Sequence, residues 1–297
     1  MESREPVRRT SEIEEITNLY FIHPMASRLA TMLASVHVHP NAVSIAGMVC
    51  GIMSGVAYYH YRELGFALAG LFLMILWHVL DGTDGQLARL TNSQSESGKV
   101  LDGICDYVTF IAVYSGLAVA LSRQHGNWVW GVVIAAGACH AVQSAAYEMQ
   151  RQDYNFWGWG RGSVEMNLHA PPYDVAAASR WQKAADKLHR LYSKIQLLAA
   201  GIDSQSRQAL AATLQLRPER ATSIRGSYRE VFAPTVRQWS VLSANYRTLG
   251  IFVASSLKIP LYYFYFEIVG FSAILLVLLS RQPARSRRLF TGLDTVE

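Results

Sequence analysis

The sequence predicts an all-α integral membrane protein with six transmembrane helices, an N-terminal interfacial amphipathic helix and a cytoplasmic helical insertion. Composition is the first observation behind this prediction: 51% of the 297 residues are apolar or aromatic and 16% are charged, whereas an average soluble domain has about 25% charged residues. The second is a series of apolar segments, each close to the length of about 20 residues that a membrane-spanning helix needs. The third is an uneven distribution of lysine and arginine between the loops, which predicts orientation.

Residues 16–37 form the amphipathic segment. They are moderately apolar, but they include His23 and Arg28, which make the segment too polar to cross hydrocarbon. We expect a helix that lies in the membrane interface.

Six apolar segments are predicted to span the membrane. Pro40 stands where the first of them begins, a position that suits proline in a helix. The predicted spans are Asn41–Tyr59, Leu64–Leu80, Asp102–Leu121, Trp128–Met149, Gln238–Leu257 and Pro260–Ser280.

The chain changes character after Arg151. Residues 151–236 hold most of the remaining charge and no apolar run long enough to cross hydrocarbon. We therefore divide the chain into three parts. Residues 1–150 carry the interfacial helix and spans one to four, residues 151–236 form a cytoplasmic helical insertion, and residues 237–297 carry spans five and six with a basic tail.

Two helices are predicted inside the insertion. The first covers residues 181–198, where apolar side chains recur at helical spacing, and Gly201 suits its C-cap. The second begins at Asp203 or Ser204 and ends at Leu214. Together they predict a small helical hairpin outside the bilayer.

Lysine and arginine collect on one side of the predicted membrane. The opposite side has only Arg62, Arg123 and Lys258. Because cytoplasmic loops carry the excess of positive charge, we expect a multi-pass protein of an inner or plasma membrane with both termini and the insertion in the cytoplasm. Outside the insertion, the basic side carries Arg4, Arg8, Arg9, Arg28, Arg89, Lys99, Arg281, Arg285, Arg287 and Arg288.

Four aspartates stand where the second span ends and the third begins. Asp81 and Asp84 are three residues apart, and Asp102 and Asp106 are four apart, so each pair projects from one face of a helix. Antiparallel packing of the two helices would bring the pairs together. Four convergent carboxylates favour Mg²⁺, Mn²⁺ or Ca²⁺ over zinc, and such ions would cancel most of the charge.

The residues around the aspartates suit a phosphorylated ligand. Gly85 and Ala88 are small enough for a flat group to approach the helix, and Arg89 is placed to hold a phosphate bidentately. Gly98 would let the chain turn before the third span. The alternative is an acidic helix end solvated among lipid headgroups, with Arg89 paired to one aspartate.

The pattern D-x-x-D-G-x-x-A-R-x₈-G-x₃-D-x₃-D resembles the signature of the CDP-alcohol phosphotransferase (CDP-alcohol phosphatidyltransferase) family. All eight defined positions are filled here. The opening of the first span, with Pro40, Asn41, Ser44 and Gly47, is also similar to family members. The resemblance covers roughly residues 12–150 and 237–282, while the insertion has no counterpart.

The resemblance implies a six-span membrane enzyme with its site in a polar cavity at the cytoplasmic end. By the same resemblance, Asp81, Asp84 and Asp102 would hold two divalent ions, Mg²⁺ or Mn²⁺, that bind the pyrophosphate of a CDP-linked donor. Asp106 would share a metal and act as the general base on the acceptor hydroxyl. The CDP-donor-binding set would be Asp81, Gly85, Ala88, Arg89 and Gly98.

Polar residues on the fourth and fifth spans are predicted to bind the acceptor. Tyr147 and Arg151 lie on one face of the fourth span and its continuation, and Asn245 and Arg247 lie on the fifth. Intramembrane polar faces usually turn toward the bundle interior. The alternative role is interhelical hydrogen bonding and snorkelling at the headgroups.

The leading interpretation is a transferase of phospholipid biosynthesis that moves a phosphatidyl group from CDP-diacylglycerol to a small polar alcohol and releases CMP. The alternative is a choline- or ethanolamine-type phosphotransferase, in which a small CDP-alcohol donates to a lipid hydroxyl. A transporter or channel is disfavoured because the spans show no inverted repeat. A soluble prenyl-diphosphate enzyme and an inactive scaffold are disfavoured by the predicted spans and the intact aspartates.

The expected partners follow from this interpretation. They are a CDP-linked lipid donor, a small alcohol acceptor and membrane lipids, while a homodimer is suggested by the family resemblance alone. Nucleic acid is not expected, because the basic residues follow loop orientation and form no recognition patch.

Overall fold

The computed structural model describes residues 10–160, 200–201 and 204–294, and over these ranges the chain is helical without strands. The predicted helix at 181–198 lies outside them. The α-helices of the described residues are α1 (His23–Ser35), α2 (Pro40–Tyr59), α3 (Leu64–Leu90), α4 (Glu96–His125), α5 (Val129–Trp159), α6 (Ser204–Leu216), α7 (Ala221–Trp239), α8 (Ala244–Ser256), α9 (Pro260–Tyr265) and α10 (Phe271–Asp294).

Five helices in the described part of the chain are long and apolar enough to cross a membrane. This result confirms an all-α, multi-pass membrane protein, but the count of six spans is not confirmed. The five are Pro40–Tyr59, Leu64–Leu90, Val100–His125, Val129–Trp159 and Pro260–Ala284, the last including a π-helical turn at Phe266–Gly270.

The predicted fifth span, Gln238–Leu257, is not one continuous helix. Helix α7 ends at Trp239, a 3₁₀ turn follows, and Ser243 is extended with a ψ of 168° before α8 begins. At 1.5 Å per residue, the 13 residues of α8 measure about 20 Å, which is shorter than the hydrocarbon core of about 30 Å. The placement of both termini on one side therefore stays a prediction.

The chain divides into two compact units. The first contains Met1–His140 and Ala244–Gly270, and the second contains Ala141–Ser243 and Phe271–Glu297. The predicted domain boundary after residue 150 falls inside α5, which continues as a helix beyond its apolar part.

In the first unit, α2 packs along both α3 and α4. Glycines at every fourth position of α2 make this approach possible, as in other membrane helices with small residues at their interfaces. A Cβ on Gly51 would overlap the Thr109 side chain, and a Cβ on Gly55 would overlap the backbone of Ala112. Direct antiparallel packing of α3 on α4 was the wrong expectation, because α2 is the main partner of each.

Helix α1 lies against α3 and leaves its other face exposed. Ala26 and Ala30 are fully buried, whereas Met25 and Met32 are exposed. A Cβ on Gly82 would stand 3.3 Å from the Cβ of Ala26, so the small residues let the two helices come close. The predicted amphipathic helix is thus present, and its position in the membrane interface stays a prediction.

In the second unit, Asp153 is a hydrogen-bonding hub on the polar end of α5. It forms an ion pair with Arg207 of α6 and accepts bonds from Trp157 Nε1 at 3.1 Å and Tyr228 Oη at 3.2 Å. Burial and the Asp153 carboxylate raise the pKa of the Tyr228 phenol well above its ordinary value, which keeps Tyr228 a donor. The hub fixes α6 and α7 to α5.

The predicted second helix of the insertion is confirmed with slightly different bounds, since α6 covers Ser204–Leu216. Gly201 has a φ of +63°, the left-handed conformation typical of a helix C-cap. Arg225 of α7 donates to the carbonyls of Phe156 at 2.9 Å and Trp157 at 3.3 Å, in the last turn of α5, where carbonyls lack intrahelical partners.

Candidate functional site

Helix α3 does not stop at its apolar end but carries the first half of the motif. It continues through Asp81, Asp84 and Arg89 and ends at Leu90. The end is a Schellman motif: the amide of Ser93 donates to the carbonyl of Ala88, and Asn92 takes the left-handed conformation with a φ of +51°. Asn92 therefore reverses the chain after the motif's first half.

Helix α4 begins before the second half of the motif. Ser95 is its N-cap and accepts a hydrogen bond from the amide of Gly98 at 3.0 Å, which is standard capping geometry. Gly98 therefore lies in the first helical turn, and the expectation that it turns the chain is wrong. A Cβ on Gly98 would stand 3.0 Å from Ser95 Oγ and 3.5 Å from Asn41 Oδ1, so glycine leaves room for the cap and for α2.

Three of the four aspartates come together. One carboxylate oxygen each from Asp81, Asp102 and Asp106 lies within 4.8 Å of the others. At that separation and an effective dielectric constant of about 20, each ionised pair repels by about 3.5 kcal/mol. Three ionised carboxylates at this separation are therefore electrostatically unfavourable unless a cation or protons reduce their charge.

The donor set fits a hard divalent cation. Carboxylate oxygens are the ligands that Mg²⁺, Mn²⁺ and Ca²⁺ prefer. Asp106 Oδ1 is also buried without a hydrogen-bond partner among the described residues, although buried polar atoms are normally paired. Both observations fit an ion bound between the three carboxylates.

Asp84 is held apart from this group. It is buried, and its Oδ2 accepts a hydrogen bond from Ser44 Oγ of α2. In the sequence, Ser44 belongs only to the family resemblance at the start of the first span, and no role was predicted for it. The contact spans 40 positions of sequence, so no local spacing rule could have found it.

Arg89 lies over Gly85. Its guanidinium nitrogens are 3.5 and 3.8 Å from where a Gly85 Cβ would stand, one helical turn away, and both residues are partly exposed, as is Ala88. The three predicted donor-binding residues of α3 thus form one accessible surface beside Asp81.

The predicted acceptor residues in the first unit have partners within the protein. Asn245 Nδ2 donates to Glu15 Oε2 at 2.7 Å. Arg247 Nε donates to Glu267 Oε1 at 3.0 Å, and both side chains are fully buried. Tyr263 Oη donates to the other oxygen of Glu267 at 2.6 Å. Glu267 stands out in the sequence as a carboxylate inside an apolar span, but no role could be assigned to it from the sequence alone.

The other two predicted acceptor residues belong to the second unit. Arg151 pairs with Glu148 at 2.8 Å, and its guanidinium lies 5.8 Å from the ring centre of Tyr147. Acceptor binding by these four residues stays a prediction.

The chain is similar to known proteins over part of its length. It is 25% identical to the Inner membrane protein YnjF of Escherichia coli K12 over 139 residues, 45% of this chain and 65% of that protein. It is 26% identical to the CDP-diacylglycerol--serine O-phosphatidyltransferase of Mycobacterium bovis over 126 residues, 40% of each chain. It is 30% identical to Cholinephosphotransferase 1 of Danio rerio over 102 residues, 31% of this chain and 26% of that protein.

The chain therefore matches less than two thirds of the length of each of these relatives. The family match covers a larger share of this chain. Residues 37–186, half of the 297 residues, match the CDP-alcohol phosphatidyltransferase family. The match extends into the insertion, so the expectation that the insertion has no counterpart is wrong for residues 151–186. With the complete motif on α3 and α4 and three of its carboxylates in one group, the chain belongs to the CDP-alcohol phosphatidyltransferase family.

Proposed function

We propose that the chain is a membrane transferase of phospholipid biosynthesis that moves a phosphatidyl group from CDP-diacylglycerol to a small polar alcohol and releases CMP. The family uses CDP-linked donors and alcohol acceptors. The observation that carries the proposal is the grouping of the Asp81, Asp102 and Asp106 carboxylates within 4.8 Å inside the complete family motif.

The four aspartates would hold two divalent ions, Mg²⁺ or Mn²⁺. Asp81, Asp102 and Asp106 provide the group of close oxygens, and Asp84 follows one turn after Asp81 on α3. When bound, such ions neutralise the charge of a pyrophosphate and stabilise its leaving group.

In the proposed reaction, Asp106 is the general base. One oxygen of its carboxylate accepts the proton of the acceptor hydroxyl. The acceptor oxygen then bonds to the lipid-side phosphorus of the donor. The bond from that phosphorus to the bridging oxygen breaks, and its electron pair leaves with CMP.

The nucleotide part of the donor is assigned to α3 and the start of α4. Gly85 and Ala88 leave room for cytidine, and the Arg89 guanidinium beside Gly85 suits bidentate phosphate binding. Asp81 and Gly98 complete the proposed donor set.

The acceptor site is assigned to Tyr147, Arg151, Asn245 and Arg247. Their polar groups are the support for this assignment. The internal ion pair of Arg247 with Glu267 is a competing structural role, which the kinetic test in the Discussion separates from acceptor binding.

The alternative function reverses donor and acceptor, with a CDP-choline or CDP-ethanolamine donor and a lipid hydroxyl acceptor. The similarity to Cholinephosphotransferase 1 of Danio rerio favours it. The similarity to the serine O-phosphatidyltransferase, which covers 40% of both chains, favours CDP-diacylglycerol.

The test is CMP release by the purified protein in lipid nanodiscs with Mg²⁺ or Mn²⁺. CDP-diacylglycerol is offered with a panel of small alcohols, and CDP-choline or CDP-ethanolamine with lipid hydroxyl acceptors. Release from CDP-diacylglycerol with one alcohol is the expected result and identifies the acceptor. Release only from the small CDP-alcohols reverses the roles, and no release from any pair overturns the proposal.

We also propose an inner or plasma membrane location with the site facing the cytoplasm, and a homodimer. Support for the location is the loop charge asymmetry and the similarity to an inner membrane protein. The location is tested with a thiol reagent that cannot cross membranes, which should label the variant Gln94→Cys from the cytoplasmic side only. The homodimer is tested by the particle mass in nanodiscs.

A further inference from the structure

The first turns of α2 contact both halves of the motif. Ser44 contacts Asp84 of α3, and Asn41 lies close to Gly98 of α4. Because α2 packs along both helices, the start of α2 is placed to fix the geometry of the carboxylates between them.

Ser44 of α2 donates a hydrogen bond to Asp84, one of the four aspartates of the motif. Its hydroxyl also lies 3.4 Å from the carbonyl of Pro40. A hydroxyl has one proton, and a hydrogen bond to an ionised carboxylate is roughly twice as strong as one to a neutral acceptor. The proton is therefore directed to Asp84.

This bond restricts the orientation of the Asp84 carboxylate. A carboxylate with one oxygen held by a buried donor cannot rotate freely about its terminal torsion, so the direction of its second oxygen is also set. Asp84 is buried to 5% exposure and lies outside the group formed by the other three carboxylates. The hydrogen bond from Ser44 thus sets the direction in which the other oxygen of Asp84 can approach an ion.

We propose that Ser44 is a positioning residue that orients Asp84 for binding of a divalent cation. This inference rests on the proposed function, since it requires a metal at the aspartates. Groups that hydrogen-bond to a metal-ligating carboxylate typically change metal affinity by about 10- to 100-fold when they are removed.

The chain offers a matched control on the same helix. Ser54 of α2 is fully buried and donates to the carbonyl of Gly70 in α3 at 2.9 Å. Ser54→Ala therefore also removes a buried hydrogen bond between α2 and α3, but none to a carboxylate. If the role of Ser44 were purely structural, Ser44→Ala and Ser54→Ala would have similar effects on Mn²⁺ affinity.

The experiment measures Mn²⁺ binding by electron paramagnetic resonance of the free ion, with the protein in nanodiscs and without substrate. For Ser44→Ala we expect the dissociation constant for Mn²⁺ to rise by about 10-fold or more. Ser44→Thr keeps the hydroxyl and should restore binding close to that of the wild type, and Ser54→Ala should leave it unchanged. Thermal unfolding of each variant shows whether it is folded.

Equal Mn²⁺ affinity of wild type and Ser44→Ala would overturn this inference and leave the metal centre intact. If the wild type does not bind Mn²⁺, the proposed metal site itself is contradicted, and the role of Ser44 is contradicted with it. Should Ser44→Ala not fold, Ser44→Cys replaces it, because a thiol of similar size is a much weaker donor. Its Mn²⁺ affinity must then fall below that of Ser44→Thr.

Discussion

Replacing either partner of the Arg247–Glu267 pair should destabilise the protein far more than replacing both. Both side chains are fully buried, with 0% of each exposed, and Arg247 Nε lies 3.0 Å from Glu267 Oε1. Arg247→Met leaves a buried carboxylate without its cation, and Glu267→Gln leaves a buried guanidinium without its anion. The double variant leaves neither charge.

The magnitude follows from the burial. Removing one partner of a buried ion pair costs about 3–5 kcal/mol, whereas replacing both by groups of similar volume is often close to neutral. With about 2–4 °C per kcal/mol for a chain of 150–250 residues, each single variant should lower the midpoint of thermal unfolding by roughly 10 °C. The double variant should regain most of the lost midpoint temperature. The coupling energy between Arg247 and Glu267 would then be about 3 kcal/mol or more, at or above the upper end of the range usual for residues in contact.

The assay is thermal unfolding in nanodiscs at one fixed scan rate, because membrane proteins often unfold irreversibly and the midpoint then depends on the rate. Tyr263→Phe is the control, since it removes the neutral donor to Glu267 Oε2 and keeps both charges. Additive losses in the double variant would refute the reasoning from the ion pair.

The same variants test acceptor binding by Arg247. If Arg247 holds an acceptor phosphate, Arg247→Met and the double variant raise the KM for the alcohol more than the KM for the CDP donor, and Glu267→Gln does not. Equal effects on both substrates would leave Arg247 with its structural role alone.

Three further outcomes are expected. Asp106→Asn should abolish CMP release and keep metal-dependent binding of the CDP donor; loss of both together would contradict its role as base. Gly55→Ala should lower thermal stability by about 1–3 kcal/mol, because its Cβ meets the Ala112 backbone, whereas Gly131→Ala, which has open space, should be neutral or slightly stabilising. Asp153→Asn should leave residues 204–239 markedly more sensitive to proteolysis, as the buried ion pair at the end of α5 is lost; unchanged cleavage would show that the hub does not fix α6 and α7.

The site was predictable to the extent that its chemistry is local. The spacing of Asp81, Asp84, Asp102 and Asp106 on two consecutive helices is enough to place each pair on one face, and three of the four carboxylates do meet. What joins distant positions was not predictable. Ser44 reaches Asp84 across 40 positions, and no periodicity in either helix carries that information.

The differences between the predicted and the observed helices have a common physical origin. Apolar length predicts where a helix can cross hydrocarbon, but helices continue wherever backbone hydrogen bonds and side-chain contacts support them. Helices α3 and α5 therefore extend past their apolar parts to Leu90 and Trp159. Conversely, the apolar run at 238–257 is interrupted by the extended backbone of Ser243, which average hydropathy does not detect.

The short reversal at Asn92 has a consequence for how the protein is made. All four aspartates lie between residues 81 and 106, and the hydroxyl that holds Asp84 comes earlier still, at residue 44. A ribosome that has released α4 into the membrane has thus already synthesised every carboxylate of the centre, while the later helices are still to come. Contacts of such short sequence separation form quickly, and chains fold from the N-terminal side during synthesis. A divalent cation that binds these carboxylates would therefore bind to, and stabilise, the growing chain before its last helices are inserted.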